Sequence, residues 1–368
     1  MERADVLIAG GGAIGTSIAF HLAEAGVDVL LCERGELGSG SSSKGAGGVR
    51  AMFSHELNVR IGLRSLERLA AFAERPGAEI DLHRVGYLFL LARRRDVEEF
   101  ERAVRMQNAL GVPSRMVDLE EAASLSPLAG LEGVDAAAFC PLAGHCSPEA
   151  LVQGYAAGAR RHGARIATGR EVTRIEMDGA RVRAAETSAG SVAVDTVICA
   201  AGVWSPALGE QVGVRLLVRP ERRRIAYTGP MEGLPDQIPM TIDFETGFYF
   251  HREGPGLLFG TSDVCEVHDE WLERATPVIA RRAPALLDAP IAGGWSGLYE
   301  MSPDHNALIG EAPGPARFLY ATGFSGHGFQ QAPAVGEIVR DLYLKREPFV
   351  DVAALAADRP ERRELGVV

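Results

Sequence analysis

Cysteine is scarce in this 368-residue chain, and what there is stands scattered: Cys32, Cys140, Cys146, Cys199 and Cys265, with no CxxC pair among them. That spacing excludes an encoded zinc site or iron–sulfur cluster. Cys32 and Cys199 fall in apolar runs and read as core; disulfides are not expected. Excess basic charge is missing too. Lys and Arg number 38 against 49 Asp and Glu, a net charge of -11, so nucleic acid is not the expected partner. No stretch is long and apolar enough to span a bilayer. The apolar N-terminal stretch lacks the basic flank of a signal peptide and contains His21, Glu24 and Asp28. Solenoid-period repeats are absent, and low complexity is confined to the Gly/Ser loop of residues 35–48. What remains is ordinary globular composition, 46% hydrophobic and 24% charged. The length suits two domains or one large α/β body, and a cytoplasmic location is expected.

The first 35 residues organise the rest. Asp5 to Ala9 is a short apolar, β-branched run and predicts a buried strand. Gly10, Gly12 and Gly15 follow with GxGxxG spacing, then helix formers from Ala13 to Ala25, a stop at Gly26, and a second buried strand from Val27 to Cys32. Gly10 permits a sharp turn, Gly12 lets a pyrophosphate approach bare backbone, and Gly15 lets helix and strand pack closely. The amides and dipole of the helix N-terminus, around Ala13 and Ile14, suit phosphate. Glu33 lies eighteen residues beyond Gly15. It can accept hydrogen bonds from both hydroxyls of an unphosphorylated ribose. A lone GxGxxG is weak evidence and can be a glycine-rich packing turn. The flanking strand, helix, second strand and terminal acid make it a dinucleotide site.

Beyond Arg34, the Gly/Ser loop to Phe53 is either a flexible linker or backbone left bare for a ligand. Ser54 reads as an N-cap for a helix reaching about Glu74, broken at Pro76-Gly77. Residues His83–Leu91 read as an extended pair, Asp96–Leu110 as an amphipathic helix, and Asp118 as the cap of a short one. Ala136–Cys140 is strand-like, and Ser147-Pro148 opens another helix. Arg181 to Val194 predicts a hairpin, and Thr196 to Ala201 a separate buried strand ending at Gly202 and Trp204. Alternating strands fill Arg215 to Gly260, and Trp271–Arg282 is helical. A last buried strand, Phe318–Thr322, leads into a second glycine-strewn helix start at Gly323–Phe329. Nucleotide-type strands thus occur at the start, middle and end, with β-rich segments between. The expected class is α/β: a Rossmann-type domain from residues 1–80, 146–214 and 300–368, covered by a mainly antiparallel sheet domain from residues 81–145 and 215–299.

Several stretches together carry a resemblance. They are the Rossmann opening with Glu33-Arg34, AAGVW at Ala200 to Trp204, SPDHNALIG at Ser302 to Gly310, and GFSGHGF at Gly323 to Phe329. The chain resembles the FAD-dependent amino-acid and amine oxidoreductases of DAO type, which share a glutathione-reductase-like FAD fold. GYLFL at Gly86 to Leu90 and ERREL at Glu361 to Leu365 are similar to the β subunits of sarcosine oxidase and L-proline dehydrogenase complexes. The resemblance implies FAD, a small carboxylate-bearing amine as substrate, and hydride transfer from a carbon beside nitrogen. It implies that Arg50 pairs with the substrate carboxylate, as a guanidinium does well, though a loop arginine can equally be solvated. It implies that Tyr249 and Tyr299 flank the substrate, or else simply pack between strands. It implies that the turn around His327 brings backbone N–H groups to the flavin edge, with Gln330 beside it, or else His327 simply satisfies that turn. Cofactor contacts are implied for Gly10, Gly12, Ala13, Ile14, Gly15, Glu33, Arg34, Ser41, Ser42, Ser43, Lys44, Val172, Ala200, Gly202, Trp204, Gly326, His327, Gly328, Phe329 and Gln330; no metal is expected.

The departures are informative. Gly297 and Lys44 stand where some relatives carry a flavin-linked cysteine or histidine, so the resemblance implies non-covalent FAD. Leu258 stands where monomeric oxidases carry an oxygen-activating lysine, and Gln330 where they carry a second carboxylate-binding lysine. A dehydrogenase is therefore favoured over an oxidase, with electrons leaving to a partner subunit or carrier. Sarcosine, proline or a D-amino acid are substrate candidates. A 2-hydroxy-acid dehydrogenase and a non-catalytic flavoprotein assembly factor remain as alternatives; an NAD dehydrogenase suits the second glycine-rich turn less well.

Overall fold

In the computed structural model, residues 2–265, 267–360 and 363–365 are described; Glu361 and Arg362 of the ERREL stretch lie outside them. The chain opens β1 (Glu2–Ala9), α1 (Ala13–Glu24), β2 (Val29–Cys32), β3 (Gly48–Val49), α2 (Glu56–Ala70), β4 (Tyr87–Leu91), α3 (Arg94–Ala109), β5 (Arg115–Val117) and α4 (Leu119–Leu125). It continues β6 (Ala136–Cys140), β7 (Gly144–His145), α5 (Pro148–Arg161), β8 (Arg165–Ala167), β9 (Val172–Asp178), β10 (Arg181–Thr187), β11 (Gly190–Cys199) and α6 (Ser205–Gln211). It ends β12 (Arg219–Thr228), β13 (Met240–Asp243), β14 (Phe248–Glu253), β15 (Gly256–Gly260), α7 (His268–Arg282), β16 (Ile291–Met301), β17 (Leu308–Glu311), β18 (Phe318–Thr322) and α8 (Gly328–Tyr343).

Two eight-stranded sheets form. The first runs β17-β18-β11-β1-β2-β8, with β10 and β9 attached through β11. Its centre, β18, β11, β1, β2 and β8, is parallel. Residues Val6–Ala9 of β1 are buried on both faces, as a parallel strand under helices must be. Helix α1 is apolar and buried all round because α5 and α8 pack on it, and Ser17 Oγ donates to the Ala332 carbonyl of α8 (2.7 Å). The second sheet runs β16-β12-β15-β14-β13-β4-β6-β5 and is antiparallel except for the β4–β13 pair. The observed class is the α/β arrangement the sequence predicts, a parallel-centred sheet beside a mainly antiparallel one.

Three sequence expectations change. Ser54 does not cap a helix. Its hydroxyl donates to Glu364 Oε1 (2.6 Å), and α2 begins after His55 with no side-chain cap. The hairpin forms between β10 and the start of β11, but its second strand and the run predicted to start separately at Thr196 are one ten-residue strand, β11. Its first residues pair antiparallel with β10, while Val192 to Cys199 pairs parallel with β1, so one strand serves both partners. Of the extended pair at residues 83–91, only Tyr87–Leu91 enters the sheet; His83 makes an isolated bridge to His145. Among the described residues no helix is long and apolar enough to cross a membrane, no group of His, Cys, Asp or Glu could hold a metal ion, and all five cysteines are free and buried.

Candidate functional site

A long trench of about 720 Å³ opens at the C-terminal ends of β1 and β2. At its floor Gly10, with φ +113°, turns the chain so tightly that a Cβ would sit 2.3 Å from the Ala200 carbonyl oxygen. A Cβ on Gly15 would sit 1.9 Å from the Gly10 oxygen, so Gly15 holds helix against turn from beneath. Helix α1 begins at Gly12 without a side-chain cap, and the Ala13 N–H donates to Ser42 Oγ (2.9 Å). A helix N-terminus opened by glycine and facing a trench suits phosphate. Glu33, at the end of β2, is pinned by two amides: Gly11 N–H donates to its Oε2 (2.7 Å) and Gly35 N–H to its Oε1 (2.8 Å). Glu33 lines the trench, and each carboxylate oxygen keeps a lone pair for a further donor. Arg34 stacks its guanidinium 3.8 Å from the centre of the half-exposed Trp204 ring, and Val172, Ala200 and Gly202 complete this end.

The trench leads past Ser41, Ser42, Lys44 and Gly297 into a smaller chamber of about 160 Å³. One wall is a single face of the second sheet: Tyr87, Met240, Ile242, Tyr249, Ile225, Arg223 and Tyr299. The other wall is the β3 segment, with Arg50, and the turn into α8, Gly326 to Gln330. Arg50 is buried; its backbone N–H donates to Gln330 Oε1 (2.9 Å), one guanidinium nitrogen donates to the Met52 carbonyl, and its charge lies 4.5 Å from the centre of the Phe53 ring. Its Nη2 stands 3.3 Å from His327 Nε2. A guanidinium can only donate, so Nε2 accepts and the proton of a neutral His327 sits on Nδ1. Burial raises the hydroxyl pKa values of Tyr87, Tyr249 and Tyr299, keeping all three neutral donors.

Glu300 stands where trench and chamber meet, accepting from Thr322 Oγ1 (2.8 Å) and Gly323 N–H (3.1 Å). Burial pushes its carboxyl up to about 7. Gly297 and Lys44 lie side by side: a Cβ on Gly297 would meet Lys44 Cβ at 3.0 Å. Two residues go elsewhere. Ser43, one step along a 3₁₀ turn from Ser42, faces a third cavity of about 630 Å³, and Leu258 lines that cavity too, not the chamber.

The fold thus brings the sequence-assigned residues into one connected channel, apart from Ser43 on its far side and Gly15 beneath. Sequence reasoning missed Tyr87, Arg223 and Glu300, all lining the chamber. Strand alternation was the available signal: Arg223 shares a sheet face with Ile225 and Tyr299. The channel fits a dinucleotide: bare glycine backbone, a first-turn helix amide, a terminal acid and a connected chamber follow one another in the order such a ligand needs.

Comparisons agree with that geometry. Residues 5–342 match the family model described as FAD dependent oxidoreductase, DAO. The chain is 28% identical to glycine oxidase of Geobacillus kaustophilus over 97% of both proteins. It is also 28% identical to the mitochondrial dimethylglycine dehydrogenase of Mus musculus over 97% of this chain, but spans only 44% of that longer protein. Among solved structures, L-proline dehydrogenase from P. horikoshii superposes with a TM-score of 0.92 at 29% identity, over 97% of both chains.

Proposed function

The chain belongs to the DAO family of FAD dependent oxidoreductases, and from that premise we propose that it oxidises the C–N bond of a small amino acid or secondary amine. The observation that carries this reading is Arg50, a buried guanidinium in the wall of an aromatic chamber of about 160 Å³. An apolar cavity of about 150 Å³ holds a benzene ring, so a chamber of this size suits only a small substrate. Bound FAD supplies the two-electron acceptor that takes a hydride from the carbon beside nitrogen, leaving an imine that water hydrolyses.

The chain's own residues bind and orient. Gly12, Ala13, Ile14 and Ser42 hold the diphosphate, Glu33 the ribose, and Val172 with the Arg34–Trp204 pair the adenine end. Gly326, Gly328 and Phe329 carry backbone to the flavin edge. Arg50 takes the substrate carboxylate, with His327 and Gln330 fixing its position; Tyr249 and Tyr299 close on the amine and exclude water. FAD is held without a covalent bond, since neither Gly297 nor Lys44 offers a thiolate or imidazole. The first sheet belongs to an FAD domain of residues 1–80, 146–214 and 300–368, and the second to a substrate domain of residues 81–145 and 215–299; the membership of the two sheets supports that division.

A dehydrogenase is the favoured form, with electrons passing to a partner subunit or carrier, because Leu258, paired in the sheet with Tyr227 and His251 and lining the third cavity, brings no positive charge. An oxidase has one observation in its favour: Lys44 and Arg223 bring positive charge to the chamber by another route. Anaerobic bleaching of the flavin by N-methyl amino acids, proline, D-amino acids and 2-hydroxy acids tests the reading. An amine should bleach it, and Arg50→Met should slow that bleaching at least a hundredfold. Bleaching by hydroxy acids alone, or an unaffected Arg50→Met variant, rejects it. Reoxidation in air as fast as bleaching would favour the oxidase.

A further inference from the structure

The chamber holds a second guanidinium that the carboxylate of a simple amino acid does not require. Arg223 is nearly buried, with its side chain 13% exposed. One nitrogen pairs with Glu221, but Nε and Nη1 are both enclosed and have no hydrogen-bond partner among the described residues. Leaving a buried donor unpaired is costly, and an arginine does not escape by losing its proton. The alternation of β12 directs Arg223 to the chamber, where it lies 5.5 Å from the Tyr299 ring centre, while Arg222 next to it lines the trench. Arg50 and Arg223 both pull on the Tyr299 hydroxyl electrostatically, so both charges lie near it.

We propose that Arg223 is a specificity-determining anchor for a second acidic group, and that the physiological substrate is an amino dicarboxylate, one carboxylate on Arg50 and the other on Arg223. This rests on the substrate reading of the chamber. It adds a requirement that reading does not contain: the ligand brings two negative charges, which the planar forks of two arginines take as charge-assisted pairs. Glu221 takes one nitrogen of Arg223 and leaves Nε and Nη1 for the ligand.

The test is equilibrium binding to the FAD-loaded protein, independent of turnover. Propionate and succinate are titrated against the flavin absorbance band and, in parallel, by calorimetry. The unmodified protein should bind succinate at least tenfold more tightly than propionate. Arg223→Met should abolish that preference and leave propionate binding within twofold, and Arg223→Lys should restore part of it. Arg50→Met should weaken both ligands. Equal binding of the two acids by the unmodified protein, or a preference that survives in Arg223→Met, overturns the proposal. So does loss of FAD from Arg223→Met, which would make Arg223 a cofactor residue. If succinate binds through Arg223 while no amine bleaches the flavin, the anchor stands and the amine-oxidation reading fails.

Discussion

The backbone N–H of Arg50 donates to the side-chain oxygen of Gln330 at 2.9 Å, joining residues 280 positions apart. Both residues are buried. The bond fixes the end of β3 against the first turn of α8, and so sets where the guanidinium can reach. Gln330→Leu strands a buried amide, which costs about 1–3 kcal/mol. The expected result is a lower melting temperature together with about tenfold slower flavin reduction. Gln330→Glu keeps an acceptor and should melt closer to the unmodified protein. Melting curves and anaerobic stopped-flow on both variants check this; equal melting by both would show that the amide does not depend on Gln330.

Gly12 and Gly15 should fail differently. A Cβ on Gly15 would be forced to 1.9 Å from backbone, whereas one on Gly12 meets only the Ser42 hydroxyl at 2.9 Å, which can rotate away. Gly15→Ala should therefore destabilise the fold itself. Gly12→Ala should fold normally without FAD yet bind FAD at least tenfold more weakly, because the added methyl group stands where phosphate approaches. Circular dichroism melts and FAD titration of the apoprotein separate the two effects.

The Arg34 guanidinium over Trp204 closes the adenine end of the trench. Such a stack contributes about 0.5–2 kcal/mol. Trp204→Ala should weaken FAD binding several-fold without changing the rate at which bound flavin is reduced, since the chamber lies at the other end. A changed reduction rate at saturating FAD would place Trp204 nearer the chemistry than its position here.

The glycine turn, Glu33 and the α8 turn were legible because each is a local pattern whose spacing its chemistry dictates. Arg223 and Tyr87 were not, because only the pairing of β12 with β16 and of β4 with β13 turns them to the chamber. Ser54 was misread because its partner, Glu364, lies 310 residues away. A cap is a local inference, and a distant carboxylate took the hydroxyl first. The boundary drawn between residues 194 and 196 failed for a related reason. A change of pairing partner along one strand leaves little mark on a sequence whose apolar character continues.

Among the groups that shift stability with pH, three buried histidines and Glu300 pull in opposite directions. Burial holds His21 and His251 down to about 4 and His145 down to about 3, against an ordinary imidazole value of 6.5. Unfolding returns them to that value, so their contribution is complete above about 6.5 and is lost as pH falls toward 4. Glu300 runs the other way. Its carboxyl is raised to about 7 from 4.5, so the folded state holds a proton that the unfolded state has released, and stability declines as pH rises from 4.5 through 7. The windows overlap between 4.5 and 6.5, where the slopes partly cancel in the FAD-free protein. Glu300→Gln removes the second contribution. It should raise the melting temperature relative to the unmodified apoprotein above pH 7 and leave a profile that only rises from pH 4 to 6.5. His145→Asn should make the acid side less steep, leaving the contributions of His21 and His251 and the alkaline side unchanged. If Glu300→Gln leaves the profile between pH 5 and 8 unchanged, the carboxyl ionises in the fold as it does in water, and the polar contacts from Thr322 and Gly323 outweigh its burial.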